Sequence, residues 1–188
     1  MTLDRVPDAQ RDMRHGYFGG APGVAASALA WCAAGVVAIA LSPKHAVLAL
    51  FVGGMFIHPV GILIAKALGR PGSHTRGNPL GTLALESTVL MLLCLPLAYA
   101  ISIDRIAWFF PAMLLVIGGR YLIFHTIYGA RIYLALGACL AAAAFALVTA
   151  RAAPVVGAFA GGAIESIFAA AIFLSWRRDV QAPIERVI

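Results

Sequence analysis

Long apolar stretches succeed one another along this chain, parted by short polar breaks. They run from about residue 20 to 41, 45 to 68, 80 to 102, 106 to 128, 132 to 150 and 155 to 176. Each has about 19–24 residues, and a helix rising about 1.5 Å per residue needs about 20 to cross a hydrocarbon core of roughly 30 Å. A transmembrane barrel would instead show alternation in segments of about ten residues. The pattern predicts an all-α, polytopic membrane bundle of six transmembrane helices in one domain. A polar N-terminal tail (1–16) and a basic C-terminal tail (177–188) flank it. The first stretch, with its basic leader and Ala38-Ile39-Ala40, imitates a signal peptide. Its apolar core exceeds the usual 7–15 residues or so, and it reads as a retained helix.

Composition agrees. Of 188 residues, 62% are hydrophobic and 12% charged, whereas soluble domains average about 45–50% and about 25%. The net charge of +6 does not signal nucleic-acid binding, because the basic residues sit in short tracts between the spans, where topology signals belong. Arg5, Arg11, Arg14, Lys66, Arg70, Arg76, Arg131, Arg177, Arg178 and Arg186 fall on one side, against Lys44, Arg105 and Arg151 on the other. That bias places both termini in the cytoplasm of a cell with this protein in its inner (plasma) membrane, and requires an even number of spans. Trp108, Phe109 and Phe110 mark the outer interface; Tyr17, Phe18, Tyr128 and Trp176 mark the inner one.

Cys32, Cys94 and Cys139 lie in three different spans, an odd count without CxxC spacing. They read as packing residues, not as a disulfide or metal framework. Gly53-Gly54, Gly118-Gly119 and the Gly157/Gly161 pair read as surfaces for close helix approach. Pro59 and Pro96 each free a backbone carbonyl inside a span, producing a kink or a polar contact for a cavity. The loop from Gly69 to Pro79 reads as a solvated topogenic loop, with Arg70, His74 and Arg76 able to meet anionic headgroups.

Chemistry, if any, rests on ionisable groups inside the spans: His58, Glu86, Arg120, His125 and Glu165. A charge at mid-bilayer costs about 2.5–3.5 kcal/mol on insertion scales, so such groups normally face the protein interior with a partner. Similar depths predict that Arg120 pairs with Glu86. Glu165 is then left without an obvious cation, which makes it the candidate for proton or cation exchange, with His58 nearby. His125, close to the inner end of its helix, is expected to snorkel to the interface. The alternative is that Glu86–Arg120 locks helix orientation and Glu165 is a hydrogen-bonded packing residue. A short likeness between Ala84-Leu85-Glu86-Ser87 and Ala163-Ile164-Glu165-Ser166, three spans apart, hints at inverted halves of the kind found in secondary carriers.

Gly20-Ala21-Pro22-Gly23, Phe56-Ile57-His58-Pro59, Asn78-Pro79-Leu80 and Gly118-Gly119-Arg120-Tyr121-Leu122 resemble a family of short bacterial multi-span membrane proteins of unknown function. The resemblance covers most of the chain and implies a small bacterial inner-membrane protein, with no activity attached.

Three functions follow as expectations. The first is a small-solute or proton/cation-linked carrier with a site at His58, Glu86, Arg120 and Glu165. The second is a structural or accessory subunit whose deep charges meet a second copy or a partner membrane protein. The third, a membrane-embedded lipid-modifying enzyme, lacks the usual HExxH or GxSxG marks. No catalytic residue, cofactor or metal is therefore expected, and the partners are the lipid bilayer and a small solute or proton.

Overall fold

The computed structural model describes residues 5–181, with side chains through Arg177. Seven α-helices follow in chain order: α1 (Val6–Tyr17), α2 (Ala21–Ala40), α3 (Pro43–Ala67), α4 (Pro79–Asp104), α5 (Phe109–Tyr128), α6 (Ile132–Thr149) and α7 (Pro154–Gln181). Among the described residues six segments are long and apolar enough to cross a membrane. The predicted spans stand within a few residues of their expected bounds, while α7 runs several residues further than its apolar stretch. The remainder of the basic C-terminal tail, 182–188, lies outside the described residues.

Local chemistry sets the ends. Proline occupies the first turn of α2, α3 and α4 and opens α7, where its missing N–H costs nothing. The Ser42 hydroxyl accepts from the His45 N–H, and Asn78 Oδ1 accepts from the Leu80 N–H at 2.9 Å, relieving orphan donors at two helix starts. Gly129 ends α5 in the left-handed region (φ 64°). Between α1 and α2 the chain turns sharply through Phe18, Gly19 and Gly20, at φ 50°, 64° and 88°. A Cβ on Gly19 would strike the Trp176 ring, and one on Gly20 the Tyr133 hydroxyl.

The six spans form a nearly closed ring. α3 packs on α2, α2 on α7, α7 on α6, α6 on α5, and α5 on α4. Between α3 and α4 the ring is split, because these two neighbours in sequence hardly meet. Trp31, Phe109, Phe110, Leu114, Leu136, Leu140 and Ile172 fill the core. The paired glycines of α7 serve the packing expected of them: a Cβ on Gly157 would meet Phe110, and one on Gly161 the Trp31 indole.

Residues 6–17 depart from the expected polar tail. They form an amphipathic helix that buries Ala9, Met13 and Gly16 and lies across one end of the ring, against α2, α3, α4 and α5. Charged residues scattered among apolar ones at helical spacing disguised it. The Gly69–Pro79 loop is likewise docked rather than free. The Gly72 N–H donates to the Gly16 carbonyl (2.9 Å), Thr75 donates through its N–H (2.9 Å) and hydroxyl (2.7 Å) to Asp12, and Asn78 donates to Asp12 (2.7 Å) and to the Ala9 carbonyl (3.0 Å). Gln10 and Arg14 tie α1 to the Thr126 and Tyr128 carbonyls (both 2.8 Å). Burial works to raise the Asp12 carboxyl, but the bonds from Asn78 and Thr75 outweigh it and hold the group below its ordinary value.

Candidate functional site

The split between α3 and α4 opens into a cavity of about 470 Å³, within the roughly 300–1,000 Å³ usual for small-molecule sites. α3 contributes Gly54, His58 and Gly61, α4 contributes Ala84, Thr88 and Met91, and α2 and α5 form the back with Ser27, Arg120 and Tyr121. At the α1 end, Met13, Tyr17 and His74 line it, and the Tyr17 hydroxyl and His74 Nδ1 are hydrogen-bonded at 2.9 Å.

Arg120 reaches into this space from the middle of α5, eight residues before Tyr128, hence about 12 Å from the α1 end of that helix. Thr88 and His58 lie nine residues from the same ends of α4 and α3, about 14 Å deep. The guanidinium donates from Nη2 to the Thr88 hydroxyl (2.9 Å), contacts Met91 Sδ from Nη1 (3.7 Å) and sits over the Phe124 ring, 5.0 Å from its centroid. Its buried Nε has no hydrogen-bond acceptor among the described residues.

The expected Glu86–Arg120 pair is not formed. Among the described residues the one ion pair is Arg11–Asp8, at 3.3 Å on the surface. Similar depth was the basis for that pairing, but depth says nothing of rotation. Glu86 is exposed on the outer face of α4, and the inward positions are Ser87 and Thr88. The four-residue likeness between α4 and α7 fails for the same reason. In α4 the serine is buried and the glutamate exposed, whereas in α7 Glu165 is buried and Ser166 exposed.

Glu165 is 0% exposed. Its Oε1 accepts from the Tyr121 hydroxyl at 2.9 Å, while Oε2 has no hydrogen-bond partner within bonding geometry among the described residues. Ser27 and the Trp31 indole face the same carboxyl, and the indole Nε1 is also unsatisfied. Arg120 lies within electrostatic range but beyond pairing distance. His58 is exposed at the rim of the cavity, not paired with Glu165. His125 is half-buried near the α1 end, its Nδ1 without a partner among the described residues. Neither Pro59 nor Pro96 lines the cavity.

The arrangement thus joins Arg120 and His58 in one cavity, sets Glu165 behind its back wall, and leaves Glu86 outside. Sequence reasoning missed Tyr121, which adjoins both sides of that wall, and Thr88, which holds the guanidinium. A tyrosine after a deep arginine and a threonine two residues after a deep glutamate were the available signals. Among the described residues no group of three His, Cys, Asp or Glu side chains is placed to hold a metal ion.

Ring and cavity together define a six-span, all-helical membrane protein with a basic cleft inside its membrane-spanning region. Residues 6–175 match the model of a family of unknown function (DUF7010), and the chain belongs to that family. No curated protein and no solved structure matches it.

Proposed function

We propose that this protein is a small carrier of an anionic solute, with Arg120 holding the anion and Glu165 exchanging a proton. One observation carries the reading: a deep guanidinium faces a cavity with no carboxylate in pairing range among the described residues. A buried cation is normally neutralised, and removing it from water without a counter-charge is costly. An anion bound in the cleft supplies that charge. Tyr121 lines the cavity and bonds Glu165, so it provides the link between solute and proton. The same reading keeps both termini cytoplasmic in a bacterial inner membrane, on the strength of the Lys/Arg bias.

The test is thermal unfolding of detergent-purified protein against a panel of organic and inorganic anions, with Arg120→Gln and Glu165→Gln alongside. A ligand at about 100 times its dissociation constant adds about 2.7 kcal/mol. Stabilisation of the wild type by an anion, lost in Arg120→Gln, is the expected result. A flat response across the panel, with both variants merely melting earlier, would make the deep charges structural.

Glu86 favours a second reading, that of an accessory or self-associating subunit. Its carboxyl is exposed on a helix face otherwise occupied by Leu85, Val89, Leu90 and Leu93, and a charge on such a face calls for a partner chain.

A further inference from the structure

We infer that the ligand of the Arg120 cleft is an anionic amphiphile, a carboxylate or phosphate head on an aliphatic tail, entering sideways from the bilayer between α3 and α4. This rests on the reading of Arg120 as an anion site and names the kind of anion.

At the α1 end the cavity is covered by α1 and the docked loop, held by the Tyr17–His74 bond and by Asp12. At the other end of the split, the 3₁₀ turn Ile106–Trp108 contacts both α3 and α4, and Phe51 of α3 meets Tyr99 of α4, ring centroids 6.4 Å apart. Between these closures the helices stand apart. The cavity's exposed rim is made of Gly54 and His58 on α3 and Leu85 on α4, the last 64% exposed. Leu85 and His58 lie six and nine residues from the α1 ends of their helices, about 9 and 14 Å inward. An opening at that depth faces acyl chains rather than water in a core of roughly 30 Å.

Glycines widen that passage. Most helix-interior glycines here let another group approach, as Gly61 does for the Gly23 backbone of α2. Gly23, Gly54 and Gly119 differ: among the described residues a Cβ on any of them would meet nothing within 4 Å, and the first two line the cavity. Glycine in a helix costs about 0.8–1.0 kcal/mol relative to alanine. Among the described residues nothing fills the space a side chain at Gly23 or Gly54 would take, and that space keeps the cleft wide where a tail would pass.

The floor offers Arg120 and Thr88 at one place, and Ile57, Ile62, Leu85 and Met91 surround the passage with apolar surface. A charged head with an aliphatic tail matches both parts, whereas a small hydrated anion would match only the first.

The experiment uses the full chain in phosphatidylcholine nanodiscs and reads melting temperature against four probes: oleate, oleyl phosphate, oleyl alcohol and inorganic phosphate. Wild type is compared with Arg120→Gln and with Gly54→Leu, which fills the rim where space is free. The expected result is stabilisation by oleate or oleyl phosphate, none by oleyl alcohol, and at least a tenfold weaker apparent affinity in each variant. Gly54→Leu keeps the test decisive should Arg120→Gln fail to fold. Stabilisation by inorganic phosphate, undiminished in Gly54→Leu, overturns the amphiphile but preserves an anion site. Equal stabilisation by oleyl alcohol and oleate overturns it too, leaving a greasy crevice. Silence from all four probes removes the amphiphile; the anion-carrier reading then stands or falls on the wider anion panel.

Discussion

Tyr121 and Glu165 share a hydrogen bond of 2.9 Å in a protein interior where, among the described residues, the other carboxyl oxygen has no partner. The bond spans the wall between core and cleft, and Ser27 and the Trp31 indole face the same carboxyl from the core side. An unmade bond to a buried polar group costs about 1–3 kcal/mol. Tyr121→Phe is therefore expected to lower stability by about that amount, and Tyr121→Phe with Glu165→Leu by less than the two single losses added. A double-mutant cycle in mixed micelles measures it, and coupling below about 0.5 kcal/mol would show the pair to be energetically independent.

Glu86 and Arg120 should respond in opposite directions. Arg120 is wrapped by Thr88, Met91 and Phe124, so Arg120→Leu loses those contacts and is expected to destabilise the fold. Glu86 is exposed on α4, and the charge costs about 2.5–3.5 kcal/mol at mid-bilayer on insertion scales. Glu86→Leu is expected to raise the unfolding midpoint of dilute protein. A fall instead, together with loss of a higher-order species on sizing, would establish the accessory-subunit reading.

These two residues also show what was legible in the sequence and what was not. Helix number, length and depth follow from the run of apolar residues and 1.5 Å per residue, which is why the six spans lie close to their expected positions. Rotation about each axis does not follow, because α4, α5 and α7 are apolar on every side and offer no polar face to orient them. Depth alone therefore cannot pair Glu86, and, beyond the preceding Arg120, nothing in its sequence surroundings distinguishes Tyr121 from any other apolar-span residue. α1 was missed for the opposite reason. Its alternation of Asp, Arg and small apolar residues reads as a solvated tail until the Gly69–Pro79 loop is brought against it by Asn78 and Thr75.

That loop supplies a pH prediction. Asp12 is held below its ordinary value of 3.8 by hydrogen bonds that exist only when the loop is docked. A depressed carboxyl contributes stability that is complete above the unfolded value and is lost as pH falls through the lower folded one. Docking should thus be constant from neutral pH down to about 4 and weaken below it. Protection factors at Gly72, Thr75 and Asn78, taken against the intrinsic exchange rate at each pH, read this, and Asp12→Asn should abolish their acid dependence while lowering them at all pH values. Acid-independent protection in the wild type would mean the loop is held by its backbone contacts alone.

The helix-interior glycines of α3 separate packing from vacancy. A Cβ on Gly61 would stand 3.2 Å from the Gly23 Cα, a backbone atom that yields only if α2 and α3 part. Gly61→Ala is expected to destabilise the protein by about 1–3 kcal/mol, the usual cost of overpacking. Gly54, seven residues earlier on the same helix, has open space at the same point. There the substitution gains helix propensity without a clash, so Gly54→Ala is expected to stabilise by a few tenths to about 1 kcal/mol. Opposite signs for one chemical change on one helix would place the close α2–α3 contact at Gly61 and the open cleft at Gly54. Equal losses at both would mean that α4 closes over Gly54, and the lateral route to Arg120 would be shut.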